Sequence, residues 1–186
     1  MAEAADPVKL ALEYMTLLLE QAEKCGVGAG GGEQKEGQEK RRTGSAIARR
    51  AEDLPSLVAS AGLIPALTFY MSKAERDKFR AFLGILAGGR AVEECKGIGE
   101  EFGAGEGAGY SAMLAVAAKA LEDLGFINVS ESLGEGGDPL QTLARGLQRL
   151  RGSPEELVAE RQMIELLVEV KKLAEAFFKS REETRT

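Results

Sequence analysis

The chain has 186 residues, of which 44% are hydrophobic and only 5% aromatic, and it contains neither tryptophan nor histidine. This length suits one domain with an aliphatic core, and the lack of histidine removes the commonest general base and transition-metal ligand. No apolar run approaches the ~18 residues that span a bilayer, and the amino-terminal residues lack the basic and apolar segments of a signal peptide, so we expect a cytoplasmic protein.

The first predicted helix covers residues 7–25. Asp6 followed by Pro7 is typical of a helix start, and Gly26 ends the series of apolar residues at helical spacing. Residues 26–43 are rich in glycine and polar side chains, which predicts a flexible basic loop. Three of its glycines fit the pattern G-x-G-x-x-G, but a phosphate-binding loop of that kind follows a strand, and here a helix precedes it.

The next helical region begins near residue 44 and carries a pair of arginines. Pro55 and Pro65 would each remove a backbone hydrogen bond inside a helix, at a cost of about 3 kcal/mol. We therefore predict short helical pieces that turn against each other, with Gly62 at the break.

Ser72 and Glu75 have the spacing of a capping box, which predicts that a new helix starts there and runs to the glycine pair at 88–89. Its large apolar residues occupy one stripe of the helix. A neighbouring stripe holds three basic residues: Lys73, Arg76 and Arg80. One face of this helix should pack while the other stays exposed and positive.

In the second half of the chain, residues 91–96 form a short predicted helix and residues 97–109 a second flexible glycine-rich loop. An alanine-rich helix follows over residues 110–124, with Gly125 placed as its C-terminal cap.

Two proline-containing helix starts, at residues 138–139 and 153–154, predict helices over 139–151 and from 154 to about 180. Apolar residues cover about half the circumference of the last helix, which we interpret as a place in the core, with a partner groove as the alternative. The predicted fold is all-α: a compact bundle of about six helices in a single domain over residues 1–186, in which residues 139–180 form additional C-terminal helices.

Catalytic chemistry is poorly supported. Adjacent glutamates occur four times, but neighbouring residues of a helix point about 100° apart, so their carboxylates do not converge on one atom. Helical di-metal sites commonly use Glu-x-x-His, which this chain cannot form. We predict no enzyme, no catalytic residue, no metal and no cofactor. A small hydrolase that uses carboxylates is the enzymatic alternative.

The two cysteines, Cys25 and Cys95, lie far apart and neither belongs to a Cys-x-x-Cys pair. A zinc site would need more such ligands. We expect two reduced thiols in a reducing cytosol, with a disulfide between them as the alternative.

The net charge of −6 is unevenly distributed. Residues 1–90 hold 13 basic and 12 acidic residues, whereas residues 91–186 hold 11 and 18. Because the local field decides whether a phosphate backbone can dock, eight basic residues of the first half are candidate contacts for nucleic-acid phosphates. These candidates are Lys40, Arg41, Arg42, Arg49, Arg50, Lys73, Arg76 and Arg80. The other interpretation is a solvated surface, partly paired with carboxylates four residues away.

The segment from Arg49 to Lys73, RRAEDLPSLVASAGLIPALTFYMSK, resembles the signature of the small all-helical subunit of the type III-B (Cmr) CRISPR effector complex. The likeness consists of a basic helical lead-in, Leu-Pro, Gly-Leu, an aliphatic-aromatic run and Ser-Lys. It extends over residues 45–86, and more loosely over 108–124.

This resemblance implies a non-catalytic subunit of an antiviral ribonucleoprotein. Copies of such a subunit stack into a minor filament beside the backbone subunits that hold the guide RNA, and the target RNA lies between the filaments. Protein contacts in such complexes go mainly to backbone phosphates, while target cleavage belongs to the backbone subunit and signalling-nucleotide synthesis to the large subunit. The basic residues that match the family pattern are Arg49, Arg50 and Lys73.

The chain departs from the family pattern in its two glycine-rich loops and in residues 139–186, which we expect to provide extra subunit contacts. The alternative function is a protein-only helical adaptor that docks a partner through the apolar C-terminal helix.

Overall fold

The computed structural model describes residues 5–25, 45–90 and 105–178. Over these residues the chain forms seven α-helices, one short 3-10 helix and no strand. The helices are α1 (Pro7–Cys25), α2 (Ser45–Ala61), α3 (Leu63–Lys73), α4 (Arg76–Gly88), α5 (Glu106–Asp123), α6 (Pro139–Leu150) and α7 (Glu155–Phe178). The all-α class is confirmed, and the predicted number of about six helices is one too low.

Buried side chains from all seven helices form one continuous core. Helix α5 lies at its centre, because nearly every residue from Ala108 to Leu121 is buried. None of the described helices is long and apolar enough to cross a membrane. The predicted loop at 26–43 and the predicted short helix at 91–96 lie outside the described residues.

Helix α1 begins and ends where the sequence predicts. The carboxylate of Asp6 accepts a hydrogen bond from the Val8 N–H at 2.9 Å, as an N-terminal cap does. Further along, the Tyr14 hydroxyl donates to Asp123 Oδ2 at 2.6 Å and ties α1 to the end of α5. Burial, reinforced by the Asp123 carboxylate, raises the pKa of Tyr14 well above its usual value, so the phenol stays protonated.

The prediction that both prolines interrupt helices is wrong for Pro55. Helix α2 runs through it without a break, and Pro55 is buried. Packing of α2 along α5 and α7 outweighs the missing backbone bond. Pro65 is the third residue of α3, where an N–H would have no partner within the helix. Gly62, at φ 93°, makes the predicted break.

The predicted capping box is also wrong. Helix α3 continues to Lys73, and the Ser72 hydroxyl donates to the Phe69 carbonyl within it. Helix α4 starts after Glu75, whose side chain makes no capping bond but whose N–H donates to Ser111 Oγ of α5 at 2.8 Å. A residue distant in the sequence therefore accepts a hydrogen bond from the backbone N–H at the start of α4. Its end follows the prediction, with Gly89 at φ 62°.

Helix α5 begins at Glu106, so residues 106–109 are helical and do not belong to the predicted loop at 97–109. The glycines of this turn allow close packing. A Cβ added at Gly109 would lie 2.5 Å from the carbonyl oxygen of Ala46 in α2, and one added at Gly107 would overlap the Glu75 carboxylate. Tertiary contact overrides the low helix propensity of glycine. Gly125, at φ 84°, follows the end of α5 as predicted.

The carboxyl-terminal helices belong to the same core. Asp138 caps α6 as predicted, and α7 starts at Glu155. At this second start the Ser153 hydroxyl has no hydrogen-bond partner among the described residues, while the Glu156 carboxylate accepts from the Gly152 N–H at 2.5 Å.

Leu166 and Val170 of α7 are fully buried, and the helix packs against α1 and α2. The core interpretation of the last helix is therefore confirmed. Three further apolar residues of α7 are exposed: Leu157, Val158 and Val168.

Replacing Gly109 by alanine should destabilise the protein. The new Cβ would meet backbone atoms of α2, which can yield only if the helix shifts. We expect the free energy of unfolding to fall by about 1–3 kcal/mol in urea denaturation.

The matched control is Gly84→Ala in α4, where nothing lies within 4 Å of the added Cβ. Helix propensity alone should then raise the free energy of unfolding, by up to about 1 kcal/mol. A Gly109→Ala protein as stable as the control would show that α2 and α5 are not packed this closely.

Candidate nucleic-acid interface

The predicted basic residues that can be placed converge on one end of the bundle. The Tyr70 hydroxyl donates to the carbonyl oxygen of Arg50 at 2.8 Å, so the end of α3 lies beside the start of α2. The bond between Glu75 and Ser111 brings the start of α4 to the start of α5. Residues 49–50 and 73–76 thus share this end of the molecule, although more than twenty positions separate them along the chain.

Three candidates lie outside the described residues: Lys40, Arg41 and Arg42. Their predicted role in RNA binding stays a prediction. Cys95 also lies outside the described residues, so the expectation of two reduced thiols stays a prediction as well.

Arg49 and Lys73 are candidate residues whose charged groups are exposed. Both are exposed, on α2 and at the end of α3, and neither forms a hydrogen bond or ion pair with another described residue. Their cationic groups can therefore approach an anion without first giving up a partner in this part of the chain.

Arg76 is exposed but paired. Its guanidinium binds the carboxylate of Asp138, the residue that also caps α6 by accepting from the Leu140 and Gln141 N–H groups. Burial opposes ionisation of Asp138, but the backbone bond from Gln141 and the contact with Arg76 outweigh it, so its pKa lies below the usual value. The carboxylate is therefore charged at neutral pH and offsets part of the positive field of Arg76.

Arg80 lies one turn further along α4 and reaches into the segment that follows the 3-10 helix (Ser130–Leu133). Its guanidinium donates to the carbonyls of Gly137 at 2.8 Å and Gly134 at 3.0 Å, and also to that of Leu133. Arg80 thus fastens this segment to α4, a structural task that was not predicted from the sequence. Its predicted contact with RNA stays a prediction.

Arg50 is largely enclosed, with 14% of its side chain exposed. Its guanidinium lies 4.7 Å from the centre of the Tyr110 ring and donates to the Tyr110 hydroxyl and to Asp53 Oδ2, both at 2.9 Å. Glu106 lies 3.8 Å away. These contacts join α2 to the start of α5, and the two carboxylates offset much of the positive charge of Arg50.

A groove of about 620 Å³ opens beside Arg50. Phe69, 45% exposed, forms part of its wall together with Tyr70 and Tyr110, and the three rings meet edge to face. Burial raises the pKa of Tyr70, so its hydroxyl remains a donor. Asp53 and Lys171 place charges of opposite sign on the lining. The groove joins the basic end to an aromatic surface.

Two partners of the basic residues, Asp138 and Tyr110, were not predicted from the sequence. Asp138 has the pattern of a helix cap, and no local pattern shows that a cap also binds an arginine 62 positions away. For Tyr110, an aromatic residue at the start of an alanine-rich helix is the one available signal. Among the described residues no group of three potential metal ligands occurs.

No family model matches the sequence, and no curated protein matches it. The structure is similar to a chain in the cryo-EM structure of a type III-B Cmr-beta complex bound to non-cognate target RNA. The TM-score is 0.65 at 20% sequence identity, and the alignment covers 95% of this chain and 99% of that one. The two chains therefore share one helical fold over nearly their whole lengths.

Replacing Arg80 by alanine should destabilise the protein, because three carbonyl groups would be deprived of a charged donor at once. We expect a decrease of about 2 kcal/mol in the free energy of unfolding, or roughly 4–8 °C in Tm for a chain of this size.

Arg49→Ala serves as the matched control and should stay within about 0.5 kcal/mol of the unmodified protein, since Arg49 is exposed. Calorimetry of the two variants measures the difference. Equal melting temperatures would contradict the structural task assigned to Arg80.

Proposed function

We propose that this chain is a non-catalytic structural subunit of a type III-B Cmr ribonucleoprotein and acts in antiviral defence. The observation that carries the proposal is the shared fold with a chain of a Cmr-beta complex, which spans nearly all of both chains. The resemblance of residues 45–86 to the small Cmr subunit supports the same assignment from a different property, the order of residues along the chain.

Within such a complex, the basic end of the bundle contacts the phosphates of the target or guide RNA. Arg49 and Lys73 are exposed and unpaired within the described residues, and Arg76 is 63% exposed. Arginine and lysine bind phosphate through charge-assisted hydrogen bonds that carry no sequence information. The proposal includes the basic residues at 40–42 as further contacts, because they precede α2 by only a few positions in the sequence.

The proposal also includes association with the backbone and large subunits and stacking of copies into a minor filament. Exposed apolar residues on two adjacent helices support a role in assembly: Val8 and Leu12 of α1, and Leu157, Val158 and Val168 of α7. The same residues favour the second candidate, a protein-only adaptor, and RNA binding distinguishes the two.

Reversing the charge of the two unpaired residues should weaken RNA binding. In reconstituted complex, the double variant Arg49→Glu with Lys73→Glu should bind target RNA about tenfold more weakly at low salt. The slope of log affinity against log salt should become shallower by about 0.7 for each phosphate that the variant no longer neutralises. The decrease in affinity should be similar for any guide-complementary sequence.

The control is Lys24→Glu with Arg90→Glu, which changes the net charge equally at exposed positions near the ends of α1 and α4, away from residues 73–76 and from the apolar surface of α7. If both double variants bind alike, net charge explains the effect and no RNA contact lies at the basic end. If the first variant keeps full RNA affinity but fails to assemble, the adaptor function is favoured.

Asp138→Asn should strengthen RNA binding. Asparagine caps helices as well as aspartate, so α6 keeps its start, while Arg76 is freed from its competing carboxylate. We expect about two- to fivefold tighter binding at low salt, and no difference at high salt. The test repeats the substitution in an Arg76→Ala protein. An equal increase in affinity in that background would show that Arg76 does not contact RNA.

A further inference from the structure

Helix α6 carries a second basic surface, which lies outside the set of residues predicted from the sequence. Its exposed residues include Arg145 and Arg149, four residues apart on the same side of the helix. We call these two residues the arginine ridge. Arg145 donates one hydrogen bond to the neutral side chain of Gln141 at 3.2 Å, and Arg149 has no partner among the described residues.

The arginine ridge is not offset by acidic residues of its own element. Between Asp138 and Glu155 the chain contains three arginines and no aspartate or glutamate. Neither arginine of the ridge forms an ion pair with a described carboxylate, in contrast to Arg50 and Arg76. Both guanidinium groups therefore keep nearly all of their donors for a ligand.

The ridge continues the basic end of the bundle. Arg145 and Arg149 follow Asp138 by seven and eleven residues, which is about two and three helical turns, so the three positions lie on one side of α6. Asp138 holds the guanidinium of Arg76. Arg76, Arg145 and Arg149 consequently form a line, in which the two ridge residues lie about 10 and 16 Å along the helix axis from Asp138.

A groove of about 560 Å³ begins where this line ends. Arg149 lines it together with Asn128 and the partly buried ring of Phe126, beside the start of α7. Glu155 lines the same groove but forms no ion pair with Arg149. The positive line thus leads to a concave surface with polar and aromatic groups.

We propose that the arginine ridge is a second RNA contact of this chain, which binds backbone phosphates of the strand that passes Arg49, Lys73 and Arg76. The inference rests on the proposed function and extends it to a different helix. A polyanion fits the ridge because the line consists of successive cations with few compensating carboxylates. An acidic protein surface would neutralise separate points, whereas a phosphate backbone follows the line from Arg76 to Arg149.

The test compares three double charge reversals in reconstituted complex: Arg145→Glu with Arg149→Glu, Arg49→Glu with Lys73→Glu, and the control Lys24→Glu with Arg90→Glu. Each changes the net charge equally. We expect the ridge variant to bind guide-complementary RNA about tenfold more weakly than the control at low salt, with a salt dependence shallower by about 1.4 for two phosphates. Circular dichroism checks folding, and Arg145→Gln with Arg149→Gln takes the place of the charge reversal if the glutamates perturb α6.

The outcomes separate the two proposals. A ridge variant that binds RNA like the control overturns the ridge, while the Arg49 and Lys73 variant still decides the proposed function. If the ridge variant and the Arg49 and Lys73 variant both keep full RNA affinity, neither surface contacts RNA. The ridge variant could also fail to join the other subunits. If the same variant, as an isolated full-length chain, then keeps its affinity for a single-stranded RNA oligonucleotide, the ridge is a protein interface and the proposal is overturned.

Discussion

The close approach of α5 to its two neighbours, α2 and α4, is the constraint on which the rest of this structure depends. Gly109 brings the first turn of α5 against the backbone of Ala46, at a distance that leaves no room for a side chain, and Gly107 lies against the carboxylate of Glu75. Arg50 and Ser111 then reach their partners across the same junctions. Since these contacts set the positions of α2, α3 and α4 together, they also place the basic residues at one end of the bundle.

The arginines of this region fall into two groups, those that bind other parts of the protein and those that are exposed to solvent. Arg50 and Arg80 are drawn into the fold, where the first meets an aromatic ring and carboxylates and the second meets backbone carbonyls. Arg49 remains exposed, and Arg76 is exposed but shares its charge with Asp138. Adjacent residues of one motif therefore differ in their capacity to bind an anion, and only their surroundings distinguish them.

The resemblance to the small Cmr subunit extends over residues 45–86, and more loosely over 108–124, whereas the structural similarity covers 95% of the chain. Residues 139–178 contain α6 and α7, and α7 completes the core by packing against α1 and α2. The total charge of the second half of the chain is negative, and this total gives no indication of the positive surface on α6. Residues 139–154 nevertheless contain three arginines and no acidic residue, just as residues 40–50 contain five basic residues and no acidic one.

Local sequence is enough to predict the helical class, the starts of α1 and α6 and the breaks at Gly62, Gly89 and Gly125, because caps, prolines and glycines act on the few residues beside them. Long-range packing, by contrast, keeps Pro55 within a helix and makes residues 106–109 helical. It also supplies Ser111 as the hydrogen-bond acceptor for the N–H of Glu75, where α4 begins. It also determines which basic residues are paired. Each of these features depends on residues far away along the chain. Packing and charge interactions with such residues contribute several kcal/mol, whereas local conformational preferences amount to about 1–3 kcal/mol.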